Sequence, residues 1–407
     1  MSTPGQLSGA PAVFDPFDPA LIEDPYPVFA RLREEAPVLH LPDYGVWAVT
    51  RYADVLRIVR DPVSFSSKVG MSPEFAARGG ASTGVGYRIG APKVRVLIAT
   101  DPPEHQVFRH AVAAAFTPAS VRSLADKVRE FARQRADALV RAGTGDFFGL
   151  VAEPLPVLVL AELLGVPEEM HDEFRHWSRV ITGDLDQVGR TEEPLGRGLG
   201  MFRYFSQQLR RRRGDGRTLF DSIARAGRSG ISSQEVLAFC AFLLVAGIET
   251  TTNLLTNAMA VLLSEPEVQH LLRERPELID TAVDEAIRYD TSVQALWRGT
   301  TVETELSGVR IPAGQRILVV FGAANRDGAK FPEPDRFLPG RGATDHVGFG
   351  AGPHFCLGAH LARLEIAEAL RAVLGATRWI EQAGPGKRTR SVVLRGFLEQ
   401  PVRAEPR

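Results

Sequence analysis

The sequence predicts a mainly α-helical protein. Helical patterns dominate the chain, and Ser232 to Ser264 reads as one long helix. A lone cysteine, Cys356, lies in a glycine-flanked turn just ahead of a further apolar helix. In the long segment, Ser232 and Glu235 have the spacing of a capping box, and Pro266 follows the end. At 1.5 Å per residue such a helix is about 50 Å long, enough to cross the molecule. Its apolar first half breaks at Ala246-Gly247-Ile248-Glu249-Thr250-Thr251-Thr252. Small residues at Ala246 and Gly247 let another group approach the backbone. A threonine hydroxyl there can replace a backbone hydrogen bond and bend the helix. The plainer alternative is a helix that merely surfaces at this point.

Cys356 sits in Phe349-Gly350-Ala351-Gly352-Pro353-His354-Phe355-Cys356-Leu357-Gly358. The glycines allow tight turns and close approach to a flat ligand. A thiolate there would be favoured by the free N–H groups of the following helix, Leu357 to Leu374, which is expected to stop at Gly375. One thiolate with no second cysteine nearby suits the axial sulfur of a heme; a zinc site needs more ligands. A phosphate-cradling loop would require a buried strand before Gly348, and none is legible. The plain alternative is an inert cysteine buried in a turn.

Along the chain, Pro25 to Glu35 reads as a short helix and Gly45 to Thr50 as a strand. Ser67 to Thr100 is a glycine-rich stretch too long for a simple connector and reads as a binding lid. Helices are expected from about Pro102, Pro118, Leu150, Pro167 and Leu195, with a loop from Gly183 to Pro194, and again over Glu277 to Tyr289. Asp101-Pro102-Pro103-Glu104 has the form of a helix start, Asp as N-cap and Pro at N1. His105 and Arg109 then share one face. Arg210 to Arg213 reads as a solvated helix end rather than a nucleic-acid contact.

The 407 residues are 44% hydrophobic and 24% charged with net charge −1, a globular profile rather than that of a disordered chain or nucleic-acid binder. Two cysteines argue against a disulfide scaffold and for a reducing compartment. The N-terminus lacks a signal pattern, and the longest apolar run, Val236 to Ile248, is too short for a bilayer. A cytoplasmic protein without a membrane anchor is expected.

The cysteine segment resembles the heme-binding loop of the cytochrome P450 family, Phe-Gly-x-Gly-x-His-x-Cys-x-Gly, at every fixed position. The resemblance extends from Asp24-Pro25-Tyr26-Pro27 to Pro401-Val402. It implies a single domain over 1–407, with 1–23 a flexible segment, built as a large helical unit around one heme b with a smaller β-rich region. Only five of the 48 basic residues are lysine, which points to a GC-rich bacterial genome.

By the same resemblance Cys356 ligates iron, lined by Phe349, Gly350 and Gly358. Ala246 and Gly247 form the oxygen groove, Thr250 orders water there, and Glu249 relays protons. His105, Arg109, Arg298 and His354 hold the heme propionates. Glu285 and Arg288 of Glu-x-x-Arg form a buried structural trio with Arg336. The substrate pocket is expected to include Phe242, Val245 and Ala246, with Gln294, Leu296, Val393 and Leu394; Tyr87 and Ile89 come from the lid.

No fused flavin or nicotinamide domain is expected. The resemblance therefore implies a monomer that takes electrons from a separate ferredoxin and ferredoxin reductase, steered by Arg57, Arg60 and Arg363. It would insert one atom of O2 into a hydrophobic small molecule, such as a polyketide, terpenoid or macrolide. Two other readings stay open: a peroxygenase or isomerase needing no external electrons, and a non-catalytic heme-binding sensor.

Overall fold

The computed structural model describes residues 14–69, 96–183, 194–211, 219 and 232–407. The long helix is present over Ser233–Ser264. Its capping box is complete: Glu235 N donates to Ser232 Oγ at 3.2 Å, and Ser232 N donates to the Glu235 carboxylate at 2.8 Å. The consecutive residues Leu254, Leu255, Thr256 and Asn257 are all buried, so every side of this helix is covered there, and it packs on Pro154–Leu164, His171–Gly183, Ile279–Tyr289 and Ala359–Ala376. A helix apolar all round belongs inside a core. With a mean hydropathy of 1.6 it is long and apolar enough to cross a membrane, and burial within this fold accounts for that character.

Around it stand Glu104–Ala113, Pro118–Ser123, Ala125–Ala142 and Pro194–Arg211. The expected helix at Leu150 begins instead at Pro154, after a π-helical turn over Phe148–Ala152. The cysteine helix runs Ala359–Ala376, straight through Gly375. Glycine in a helix costs only about 1 kcal/mol. Here the buried Val373 and Leu374 hold the last turn, and the Arg273 guanidinium donates to the Leu374 and Thr377 carbonyls at its end.

Among the described residues, the β-rich part is one five-stranded sheet and three small ones. Strands β1 (Val38–Leu41) and β2 (Val46–Val49) form a hairpin. β3 is Phe65–Ser66, β4 Thr144–Asp146, β5 Ala295–Thr300, β6 Thr304–Leu306, β7 Val309–Ile311 and β8 Arg316–Val320. β9 is Thr377–Gln382, β10 Lys387–Arg388, β11 Phe397–Glu399 and β12 Pro401–Pro406. The large sheet has the order β1-β2-β8-β5-β3, with β2 parallel to β8. Alternation sends Val46, Ala48, Leu318 and Val320 to a core with the N-terminal helices. Val49, Ile317 and Val319 face Val55, Ile58 and Val59 of helix Tyr52–Arg60.

Two local expectations are corrected. Asp101 does not cap the next helix, which starts at Glu104. Its carboxylate instead accepts from Ser66 Oγ at 2.6 Å and Ser67 N at 2.7 Å, tying β3 to this segment. Within 1–23, Phe14 and Leu21 are buried and Asp18 caps a short helix, Pro19–Glu23, so packing begins at least as early as Phe14.

Candidate active site

The cysteine loop is fixed at both ends by its own backbone. Gly350 N donates to Val347 O and Cys356 N to Phe349 O, both at 2.9 Å. Gly350 and Gly352 have φ of +67° and +66°, open to glycine and strained for other residues. Gly352 is further constrained from outside, because a Cβ there would lie 2.5 Å from the Val59 carbonyl. The loop is thus seated on the helix Tyr52–Arg60.

Cys356 borders a cavity of about 240 Å³. The same cavity is lined by Phe242, Leu243, Ala246, Gly247, Thr250 and Thr251 of the long helix. Leu97, Leu160, Val293 and Leu296 extend its apolar lining. A Cβ at Gly358 would meet no protein atom within 4 Å, so the cradle beside Cys356 is open on the cavity side. Burial pushes the Cys356 thiol above its ordinary range, against the pull of the Gly358 N–H, Arg109 and Arg363.

All four residues expected to hold propionates converge on one side of this cavity. The His105 and His354 ring centroids are 4.2 Å apart. His105 is 1% exposed, and neither ring nitrogen has a partner. His354 Nε2 lies 3.0 Å from Ser67 Oγ. Arg109 Nη1 donates to Phe355 O at 2.8 Å, and Arg298 Nη1 to Trp297 O at 2.7 Å. Burial lowers Arg298 to about 10, partly opposed by Asp101. Burial, then Arg298 and His105, bring His354 down to about 3. Two guanidiniums and two partly desolvated imidazoles, with Asp101 the one nearby carboxylate among the described residues, suit an anionic ligand with several acceptor oxygens.

On the long helix, Thr250 Oγ1 donates to Ala246 O at 2.5 Å. Its proton is committed to the helix, so the hydroxyl presents lone pairs to the cavity as an acceptor. Glu249 is partly buried and stands off the cavity wall, one residue before Thr250. Val245 also lies off the wall.

Three further pocket residues are not where the sequence put them. Gln294 Nε2 donates to Thr291 O at 2.8 Å, and Gln294 N to Val393 O at 2.7 Å, which places Gln294, Val393 and Leu394 behind the cavity wall. Sheet pairing starts only at Ala295, so the alternation of β5 brings Leu296 and Arg298 to the cavity, while Val293, not Gln294, joins them. Tyr87 and Ile89, with most of both expected lid loops, lie outside the described residues.

Sequence reasoning also missed Glu365, which lines the cavity 3% exposed with Oε2 unpartnered. A signal existed, since it falls four residues after the cavity-lining Leu361 on the same helix. Burial raises its carboxyl well above the ordinary value. The neutral acid is therefore the folded form: its stabilisation is complete below the ordinary glutamate pKa and is lost as pH rises from there through the folded pKa. The limiting slope is about 1.4 kcal/mol per pH unit. Glu365→Gln should flatten that decline, with thermal unfolding of variant and parent diverging progressively from pH 5 to pH 8 in favour of the variant. Parallel curves would count against a raised pKa.

The buried ion network behind the loop has Arg341, not Arg336, as its third side chain. Glu285 and Arg288 are fully buried and doubly bonded, Nε to Oε2 at 2.7 Å and Nη2 to Oε1 at 2.8 Å. The third member is Arg341, whose Nε donates to Glu285 Oε1 at 2.9 Å. The Arg336 side chain is 66% exposed and pairs with Glu333; only its carbonyl enters the network, accepting from Arg288. Arg288 also donates to Asn325 O and Pro334 O, and Asn325 Oδ1 accepts from Val347 N at 2.8 Å. A chain of hydrogen bonds thereby runs from Glu285 to the cysteine loop.

Of the arginines expected on the cysteine side, Arg60 and Arg57 are exposed on the helix under Gly352. Arg57 donates to the Glu305 carbonyl. Arg363 is paired with Asp284 at 2.7 Å and lies over the Phe349 ring.

Such a chamber accepts one broad apolar plate bearing acidic side groups, with a sulfur ready to bind it from beneath, and the class of protein so defined is the heme-thiolate proteins. A sequence model of the family described as "Cytochrome P450" matches residues 203–404. The chain is 38% identical over 358 residues to the vitamin D(3) 25-hydroxylase of Pseudonocardia autotrophica, covering 86% of each. It is 36% identical over 392 residues to the mycinamicin IV hydroxylase/epoxidase of Micromonospora griseorubida, covering 92% of this chain and 94% of that protein. The structure of cytochrome P450 CYP109Q5 from Chondromyces apiculatus superposes with a TM-score of 0.83 at 32% identity, over 97% and 98% of the two chains. The chain belongs to the cytochrome P450 family; it is a monooxygenase, and its cofactor is heme b.

Proposed function

We propose that this monooxygenase inserts one atom of O2 into a hydrophobic small organic molecule, by hydroxylation or epoxidation, with electrons delivered by a ferredoxin and its NAD(P)H-dependent reductase. The second oxygen atom leaves as water, which requires two electrons and two protons. The single observation that carries this reading is that Cys356 and Thr250 line one and the same apolar cavity. The Cys356 thiolate would hold the heme iron, and the heme, when bound, would supply dioxygen activation.

Each remaining role belongs to a residue of the chain. Arg109, Arg298, His105 and His354 would hold the propionates. Thr250, as an acceptor, would orient a proton-bearing water, and Glu249 would pass protons toward it from its partly buried position. The apolar wall at Phe242, Leu243, Val293 and Leu296 would exclude bulk water and seat the substrate. Natural-product intermediates of the polyketide, terpenoid or macrolide kind suit such a wall, in keeping with the relatives named for vitamin D(3) and mycinamicin IV. Arg57 and Arg60 would steer an acidic ferredoxin toward the cysteine side, in the cytoplasm.

Thr250→Ala should leave substrate binding intact while product formed per NAD(P)H consumed falls about 100-fold, the lower end for positioned proton transfer. Turnover with a surrogate ferredoxin pair, compared with hydrogen peroxide alone, checks this. Full activity on peroxide, unaffected by the substitution, would instead establish a peroxygenase.

A further inference from the structure

Helix Ile279–Tyr289 sends two adjacent carboxylates to different partners. Glu285 enters the buried trio with Arg288 and Arg341, whereas Asp284 meets the cysteine helix, Ala359–Ala376. Asp284 Oδ1 accepts from Arg363 Nε at 2.7 Å, and the two side chains are 14% and 27% exposed. Charges partly withdrawn from water are screened less than exposed ones. The Arg363 guanidinium lies over the Phe349 ring, its Cζ 4.7 Å from the centroid. Phe349 is the residue whose carbonyl holds Cys356 N at 2.9 Å. From there the charge of Arg363 reaches the Cys356 sulfur, as does that of Arg109 on the propionate side.

His346 closes the pair from within. Its side chain is 1% exposed, and its ring centroid is 5.7 Å from that of Phe349. His346 Nδ1 accepts from Gly348 N at 3.2 Å, which leaves the hydrogen of a neutral ring on Nε2. Nε2 lies 3.5 Å from Asp284 Oδ1, the long limit of a hydrogen bond. Burial works against ionisation of Asp284, yet His346 and Arg363 hold its carboxyl below the ordinary range.

We infer that Asp284 and Arg363 set the reduction potential of the heme iron through the Cys356 thiolate, with His346 keeping Asp284 in place. All three are positioning residues, and none borders the heme cavity. A cation beside the sulfur draws electron density from it and favours reduced iron; a carboxylate does the opposite. Paired, the two charges largely cancel at the sulfur, and either one alone does not. The inference rests on Cys356 as the axial ligand, which the carbon-monoxide spectrum tests by itself.

Spectroelectrochemical titration of the heme-loaded, substrate-free protein at about pH 8, with dye mediators and no ferredoxin, tests the inference. Arg363→Met leaves the Asp284 charge uncompensated. It should move the Fe(III)/Fe(II) equilibrium at least about threefold toward Fe(III). Asp284→Asn still accepts from Arg363 and should move it at least about threefold toward Fe(II). A shift of about tenfold is about 59 mV for a one-electron couple. The double variant is again neutral and should lie within about twofold of the parent. A role in packing alone would not drive the two single variants in opposite directions and cancel when they are combined.

The inference is overturned if either single variant shifts less than about threefold or in the wrong direction, or if the double variant fails to return. If one single variant yields no heme-loaded protein, the sign of the other decides. A parent with the red-shifted carbon-monoxide band but unmoved potentials in the variants sinks this inference alone. A parent without that band removes the axial-ligand reading and this inference together.

Discussion

Replacing Cys356 by histidine abolishes both the strongly red-shifted Soret band of the reduced carbon-monoxide complex and monooxygenase turnover, while the protein still folds. The expectation rests on the loop rather than on the sulfur alone. Gly350 and Gly352 fix the turn, and Cys356 N is held by Phe349 O, so position 356 faces the cavity whichever side chain it carries. Histidine offers a neutral nitrogen in place of an electron-donating thiolate, so heme is retained and its electronic character changes. The measurement is the carbon-monoxide difference spectrum of parent and variant side by side. A variant that kept the red-shifted band would remove Cys356 from the iron and dismantle the site described above.

Glu285→Gln destabilises the protein by about 3–5 kcal/mol, the usual cost of leaving a buried charge without its partner. Two cations lose their counter-charge at once: Arg288, fully buried, and Arg341, 10% exposed. Leu338 N also loses the charged acceptor at 2.9 Å that anchors the coil leading to the cysteine loop. Arg341→Ala should show a comparable loss, whereas Arg336→Ala should stay within about 0.5 kcal/mol, as for an exposed pair. Urea unfolding of the three variants separates the two arginines. A large effect at Arg336 with none at Arg341 would reverse the assignment.

That exchange of arginines shows where sequence reading stops. The Glu-x-x-Arg pair was legible because three residues of helix place both side chains on one face. Its third partner comes from an irregular coil, where no periodicity decides between Arg336 and Arg341. The capping box at Ser232 and the glycine-bounded cysteine turn were legible for the same reason: each is decided within a few residues. Asp101 was misread because its local helix-start pattern lost to the tertiary demand of Ser66 and Ser67. Gln294 was misplaced because the alternation of a strand holds only where the sheet exists, and pairing begins one residue later. Glu365 went unnoticed because a charged residue in a helix reads as solvent-facing until its neighbours along the same stripe are considered.

The pairing of β2 with β8 has a consequence for synthesis on the ribosome. Val46 emerges about 270 residues ahead of its neighbour Arg316, a delay of roughly 15–55 s at ordinary translation rates. Phe65 waits similarly for Thr300, Tyr26 for Asp290, and Val59 for the glycine turn that rests on it. Throughout that interval the nascent N-terminal hairpin carries an apolar face and an open edge with nothing to cover them. A polypeptide released before residue 320 therefore leaves sticky strands and no chamber, so premature termination anywhere in the first three-quarters of the message yields a substrate for chaperones and proteases rather than a partial enzyme.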